Sequence, residues 1–173
     1  MVRRALALAA TVFLVACGPS DEQADALGQY LMQSLAIARQ TADTAMIEEI
    51  FQPDAVFDDY PDQITYEGIE DIVGYLTSIH EWGDDVYLTL GNVQTSPTGA
   101  TGEWTLGAVQ TRPIPDLVGT VTDRETVVSG VTILEIEGGR IARAADYWDR
   151  AAFLLQLGAR IELPGDTVLQ DNP

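Results

Sequence analysis

The chain has 173 residues, with 27 Asp and Glu against nine Arg and no Lys, for a formal net charge of −18. Such a field repels phosphate backbones and anionic lipid headgroups, which weighs against nucleic-acid binding and against a basic membrane-docking patch; the acidity itself reads as an adaptation to solubility or salt. With Cys17 as the single cysteine there is no intramolecular disulfide, so the fold must rest on its core.

Arg3 and Arg4 precede residues 5–16, which are apolar except for Thr11. This is the pattern of a basic n-region and a short h-region. Twelve residues at ~1.5 Å per residue span only ~18 Å, short of the ~30 Å hydrocarbon core of a bilayer, so a cleaved signal is expected rather than a permanent span. Leu14-Val15-Ala16-Cys17 resembles the lipobox of bacterial lipoprotein precursors, which implies diacylation of Cys17 followed by cleavage before it. The other reading is an ordinary signal cleaved a little later, with Cys17 incidental. On the lipoprotein reading 1–16 is the signal peptide and 17–23 the lipidated cysteine with a short tether. The protein is then lipid-anchored at the cell envelope, and Gly18 after the cysteine permits outer-membrane delivery in a two-membrane cell. Loss of Arg3 and Arg4 leaves seven Arg against 27 acidic residues, a charge of −20.

From Asp21 the pattern is helical, with Ala24, Leu27, Leu31, Leu35 and Ala38 at three- and four-residue spacing and Ser20 or Asp21 as N-cap. A second helix fits 44–51, stopped by Pro53. A short strand fits 55–58 and runs into the acidic loop Asp58-Asp59-Tyr60-Pro61-Asp62. A third helix fits 68–82, with Ile69, Ile72, Val73, Leu76 and Ile79 on one face. Extended stretches follow at 86–95, 101–111, 125–136 and 140–148, the last two joined by the tight turn Gly138-Gly139. A last helix fits 150–157, with Gly158 beyond its end, and 163–173 reads as a flexible tail. Helices first and long hairpin-linked strands after them predict an α+β domain over 24–162: a cone-shaped, curved antiparallel sheet with helices packed in its concave face. On 101–111, Trp104, Leu106 and Ala108 share one face, opposite Glu103, Thr105, Gly107 and Val109.

Phe51-Gln52-Pro53-Asp54-Ala55-Val56-Phe57-Asp58-Asp59, the helix opening at Tyr66-Glu67-Gly68, and above all Glu137-Gly138-Gly139-Arg140-Ile141 with Asp146-Tyr147-Trp148-Asp149 and Leu154-Leu155-Gln156-Leu157-Gly158 resemble the SnoaL-like branch of the nuclear transport factor 2-like superfamily. The resemblance covers roughly 25–160. It implies the cone fold, a pocket between sheet and helices suited to an apolar small molecule, and a homodimer through the exposed sheet face. It does not imply a reaction, since relatives include polyketide cyclases, ketosteroid isomerase, limonene epoxide hydrolase and dehydratases.

Asp146 is the first candidate acid/base. Alternation places Ala142, Ala144, Asp146 and Trp148 on one face, so two small residues leave room before a carboxylate whose pKa an apolar cavity would raise. By position it resembles the last-strand aspartate of the cyclases and of the epoxide hydrolase. The bland reading is an aspartate that bonds Tyr or backbone groups, or lies exposed at the strand end. Asp59 is the second candidate, resembling in place the aspartate with which ketosteroid isomerase shuttles a proton; Tyr60 would add a phenolic donor, although the acidic loop is also an ordinary turn. The epoxide hydrolase pairs an arginine with an aspartate on a middle strand, where this chain has Trp104 and Leu106, so that chemistry is not expected. Tyr30 is the first-helix tyrosine that the isomerase likeness would need. His80 reads as a helix-end partner or a pocket wall. Trp82, Trp104, Trp148, Tyr147 and Phe153 read as core or ligand wall, and Arg112-Pro113-Ile114-Pro115-Asp116 as a loop over the pocket mouth. One His and a lipid-committed Cys give too few ligands for zinc, the three aspartates Asp58, Asp59 and Asp62 match no calcium loop, and no cofactor or metal is expected.

Two functions fit. One is a membrane-anchored module that binds a hydrophobic small molecule, with Tyr60, Trp104, Leu106, Trp148 and His80 around the ligand. The other is an acid/base isomerase, cyclase or dehydratase acting on a hydrophobic carbonyl compound, with Asp146 and Asp59 as proton carriers.

Overall fold

A computed structural model describes residues 20–165 and 167–170. Cys17 and the signal segment lie outside the described residues. Helix α1 (Asp21–Thr41) starts with Ser20 as N-cap in a capping box with Gln23, and its buried stripe includes Leu31, Met32, Leu35 and Ala38. It ends where Ala42 turns left-handed at φ 53°, and Asp43 then caps α2 (Thr44–Ile50) by accepting from the Met46 amide. Among the described residues no helix is long and apolar enough to cross a membrane.

Strand β1 (Phe51–Asp59) is longer than the expected short strand and begins directly after α2. Pro53 therefore lies inside a strand rather than ending a helix. It is tolerated because the pairing of β1 with its neighbour shifts register between Phe51 and Val56, where no ladder hydrogen bond is needed from it. The edge strand β2 (Ile64–Glu67), with only four residues, is too short for its alternation to mark it out; it pairs antiparallel to β1, with Asp59 opposite Ile64. The expected third helix is two, α3 (Ile69–Thr77) and α4 (Ile79–Trp82). The Thr77 and Ser78 hydroxyls bond back to the carbonyls of Val73 and Tyr75, competing with the helix ladder at the break.

Strands β3 (Gly83–Ser96), β4 (Gly99–Gln110), β5 (Glu125–Glu137) and β6 (Arg140–Trp148) follow the expected segments, and the Gly138-Gly139 turn has both φ angles positive, at 60° and 83°. The sheet order is β2-β1-β6-β5-β4-β3, antiparallel throughout except for the β1–β6 pair. On β6 a bulge beside Ile136 puts Ile141 in the core, where the alternation pointed to Ala142, which is only half-buried. Helix α5 (Arg150–Gln156) is followed by a small exposed hairpin, β7 (Arg160–Leu163) and β8 (Thr167–Gln170), whose second strand lies within the flexible tail expected over 163–173.

The main core packs α1, α2 and α3 onto β1 and β6 around Leu31, Ile47, Phe57 and Ile141. A second cluster, Ile79, Trp104, Leu106 and Ala108 with Trp82, Val128 and Trp148, lies toward the end of the sheet where β1, β4 and β6 finish. The expected faces of β4 are observed: Trp104, Leu106 and Ala108 are buried and Glu103 is exposed.

Trp104 crosses the neighbouring strand at Gly130, where an added Cβ would lie 2.5 Å from the indole and 2.7 Å from the Tyr147 carbonyl. Gly130→Ala should therefore displace Trp104 and cost ~1–3 kcal/mol in urea unfolding; unchanged stability would show that the indole does not need this gap.

Candidate functional site

Parallel pairing of β1 with β6 sets Asp59 beside Asp146, so the two candidate carboxylates are register partners on adjacent strands. Both are buried, at 2% and 0% exposure. Their surroundings differ.

Asp146 is enclosed by donors. Arg39 Nη1 donates to Oδ2 at 2.8 Å and the Tyr75 hydroxyl to the same oxygen at 3.2 Å, while the Thr132 hydroxyl donates to Oδ1. Trp104 Nε1 in turn donates to the Thr132 hydroxyl at 2.8 Å. The Arg39 guanidinium lies 5.2 Å from the Trp104 ring and 5.5 Å from that of Tyr75, within cation–π range. Burial pulls the Arg39 pKa down, but the charge and hydrogen bond of Asp146 more than offset it, so the guanidinium is held above its ordinary value. Burial, and then Asp146, push the Tyr75 phenol well up, keeping it a hydrogen-bond donor. The geometry makes Asp146 the anchor of a polar cluster.

Asp59 faces open space. A cavity of about 210 Å³ lies against it, walled by Trp82, Trp104, Leu106, Val128, Trp148 and Phe153 and reached also by Arg39, Tyr66 and Tyr75. Ile114 and Leu117 of the loop after β4 cover it, as the position of that loop suggested. Trp148 Nε1 donates to Asp59 Oδ1 at 3.1 Å. Burial raises the Asp59 pKa, the nearby Asp62 adds to this, and the Trp148 bond only partly opposes it. Asp62, at the rim, is bridged at 2.6 Å by Arg150, the first residue of α5. A larger hollow of about 440 Å³ on the outer sheet face, around Thr89, Gly91 and Ser129, is shallow and is lined by neither carboxylate.

Of the residues assigned to a ligand, Trp104, Leu106 and Trp148 line the cavity and Tyr60 and His80 do not. Tyr60 is 48% exposed and stacks on Tyr147 with ring centroids 4.6 Å apart; its hydroxyl accepts from Arg143. The strand alternation that turns Asp59 inward turns its neighbour outward. Tyr147 is likewise on the outer face, whereas Trp82 and Phe153 are in the wall. His80 Nε2 donates to the Arg39 carbonyl at 3.0 Å, joining α4 to the last turn of α1. Tyr30 is 52% exposed, away from the site. Arg39, Tyr75 and Thr132 were not anticipated. Arg39 follows Leu35 by four residues, so a cation on the flank of the buried stripe was the available signal. Among the described residues no group of three His, Cys, Asp or Glu side chains is placed to hold a metal ion.

Since the folded-state pKa of Asp59 lies above that of the unfolded chain, its contribution to stability is complete below the unfolded value and is lost as pH rises through the folded one. Asp59→Asn should thus raise Tm at pH 7, with the gain shrinking as pH falls toward the ordinary aspartate value of 3.8. A variant less stable than the parent at pH 7 would contradict the raised pKa.

Comparison with known proteins bears on the same region. The SnoaL-like domain model matches residues 33–144, and no curated protein matches the chain. Among solved structures, TsrD from Streptomyces laurentii is similar at 24% identity and TM-score 0.68, covering 77% of this chain and 96% of its own. A SnoaL-like polyketide cyclase homologue from Jannaschia sp. CCS1 gives 15% identity and TM-score 0.71 over 81% and 97%. An LEH-like epoxide hydrolase from M. tuberculosis gives 13% and 0.60 over 77% and 90%. At these identities the likeness to each is one of fold, the nuclear transport factor 2-like cone. The family match spans well over half of the chain and includes both Asp59 and Arg39: the protein belongs to the SnoaL-like domain family.

Proposed function

We propose that the chain binds a hydrophobic small molecule in the cavity at the end of the sheet. The observation that carries this reading is the cavity wall itself, with all three tryptophans of the protein and Phe153 around a few convergent polar groups. Anchorage at the envelope through Cys17 belongs to the same reading and rests on the sequence alone. The homodimer suggested by family likeness would use the outer sheet face, where Ile133 and Tyr147 are exposed.

A second reading, proton transfer on the bound molecule, is favoured by Asp59. A carboxyl group kept up by burial, in contact with the cavity and held in orientation by Trp148, has the attributes of a general acid or base. In this version Asp59 moves the proton. Asp146, already accepting from Arg39, Tyr75 and Thr132, orients the donors around it rather than carrying the proton as first expected.

Because every tryptophan borders the cavity, titration with a two-ring hydrocarbon such as tetralin should quench intrinsic fluorescence saturably, and Val128→Phe, which fills the cavity, should abolish the effect. Saturable quenching that survives the filled cavity would place the ligand elsewhere. For the second reading, Asp59→Asn should remove any protein-catalysed deuterium exchange beside the carbonyl of 1-tetralone while leaving its affinity within about threefold, a loss of ~10²-fold or more being usual for a general acid or base. Exchange unaffected by the substitution would exclude Asp59 as the proton carrier.

A further inference from the structure

Arg39 is the one cation among the described residues that line the cavity. A guanidinium carries five N–H donors in a fixed fork. Here Nη1 is committed to Asp146 at 2.8 Å, and among the described residues the group makes no other hydrogen bond. Among the described residues no fully buried side-chain nitrogen or oxygen lacks a partner, so the uncommitted Arg39 donors reach open space; Arg39 borders this cavity and a gap of about 10 Å³ between α1 and β3, and only the cavity has room for a ligand. The fork is also held still, by the Asp146 carboxylate and by the Trp104 and Tyr75 rings at 5.2 and 5.5 Å.

We infer that Arg39 is the oxygen-binding residue of the cavity and that the ligand it selects is a neutral carbonyl compound, seated with its oxygen on the guanidinium and its apolar body against Trp82, Trp148 and Phe153. The inference rests on the small-molecule reading above and narrows it.

Charge balance selects the neutral class. Arg39 is already matched by Asp146, and Asp62 by Arg150. A ligand carboxylate would add an uncompensated negative charge beside Asp59 and Asp146, inside a protein of formal charge −18. A ligand ammonium would meet the Arg39 charge. A hydrocarbon would strip water from the Arg39 donors and replace it with nothing, leaving their desolvation uncompensated. A carbonyl oxygen satisfies the donors and adds no charge. At about 210 Å³ the cavity is smaller than the ~300–1,000 Å³ of pockets that enclose drug-sized ligands, so its enclosed portion suits one or two rings. Asp146 acts through Arg39 and is a positioning residue.

The test is fluorescence titration of the protein with four probes sharing one two-ring body: 1-tetralone, tetralin, tetralin-1-carboxylate and 1-aminotetralin. The ketone should bind about tenfold more tightly than the hydrocarbon, as expected for a hydrogen bond to a charged group, and both ionic probes should bind more weakly than the ketone. The double variant Arg39→Met, Asp146→Asn removes both charges together, which avoids stranding a buried one. In it the preference for ketone over hydrocarbon should fall to within about twofold, read as the ratio of the two affinities in the same variant so that any change of cavity shape common to both probes cancels. A purely structural role would instead weaken both probes alike. Arg39→Lys keeps the charge but not the fork, and should also lower the preference; it decides the matter if the double variant does not fold. Equal binding of ketone and hydrocarbon by the parent protein, tightest binding of an ionic probe, or an unchanged preference in the variants would each overturn the role of Arg39 while leaving the cavity reading intact. Failure of all four probes to bind would overturn the cavity reading and this inference with it.

Discussion

The Arg39–Asp146 ion pair is the contact on which the interior depends. It joins the last turn of α1 to the final long strand, 107 residues apart in sequence, with the carboxylate fully buried and the guanidinium side chain 12% exposed. Taking both charges out of water costs several kcal/mol each, and their attraction offsets that only when the remaining donors and acceptors are satisfied. Tyr75 and Thr132 supply the rest on the carboxylate side, Trp104 supports Thr132, and the two aromatic rings flank the guanidinium. Loss of one member alone would strand a buried charge, a penalty of ~3–5 kcal/mol. The cluster therefore fixes where α1, α3, β5 and β6 meet, and so the inner boundary of the cavity.

The same arrangement separates two carboxylates that the sequence offers as a first and a second proton carrier. They are register partners across the parallel β1–β6 pair, yet Asp146 is surrounded by donors on three side chains while Asp59 accepts from the Trp148 indole with an open cavity before it. Two titratable groups placed side by side in unlike environments take unlike roles, one as a fixed acceptor and one as a group able to change its protonation. At the rim, the Arg150–Asp62 bridge ties α5 to the turn after β1, so the helix carrying Phe153 closes over the cavity beside Asp59.

Much of this was legible in the chain. The stripe on α1, the alternation on β4 and the paired glycines before β6 each impose a periodicity or a backbone angle that few other structures satisfy, and those elements lie where expected. The inward direction of Trp104, Leu106 and Trp148 follows from the same alternation, whereas that of Asp59 depends on β1 reaching one residue further than the expected strand. What was not legible depends on contacts distant in sequence. Nothing local says that Arg39 meets a carboxylate on β6, that Thr132 and Tyr75 complete its shell, or that a register shift lets Pro53 sit in a strand. Tyr60 was misplaced because it was grouped with Asp59 by adjacency, although adjacent strand residues face opposite ways. The strands of the terminal hairpin have four residues each and are almost wholly exposed, too short and too little buried for their pattern to distinguish them from a tail.

The most direct test of this account is a carbon-13 NMR titration of the Asp59 side-chain carboxyl in the protein with and without a bound neutral ketone. The account predicts a midpoint above the ordinary aspartate value of 3.8, moving further up when the ligand displaces water from the cavity. A midpoint at or below 3.8 that the ligand leaves unmoved would contradict it.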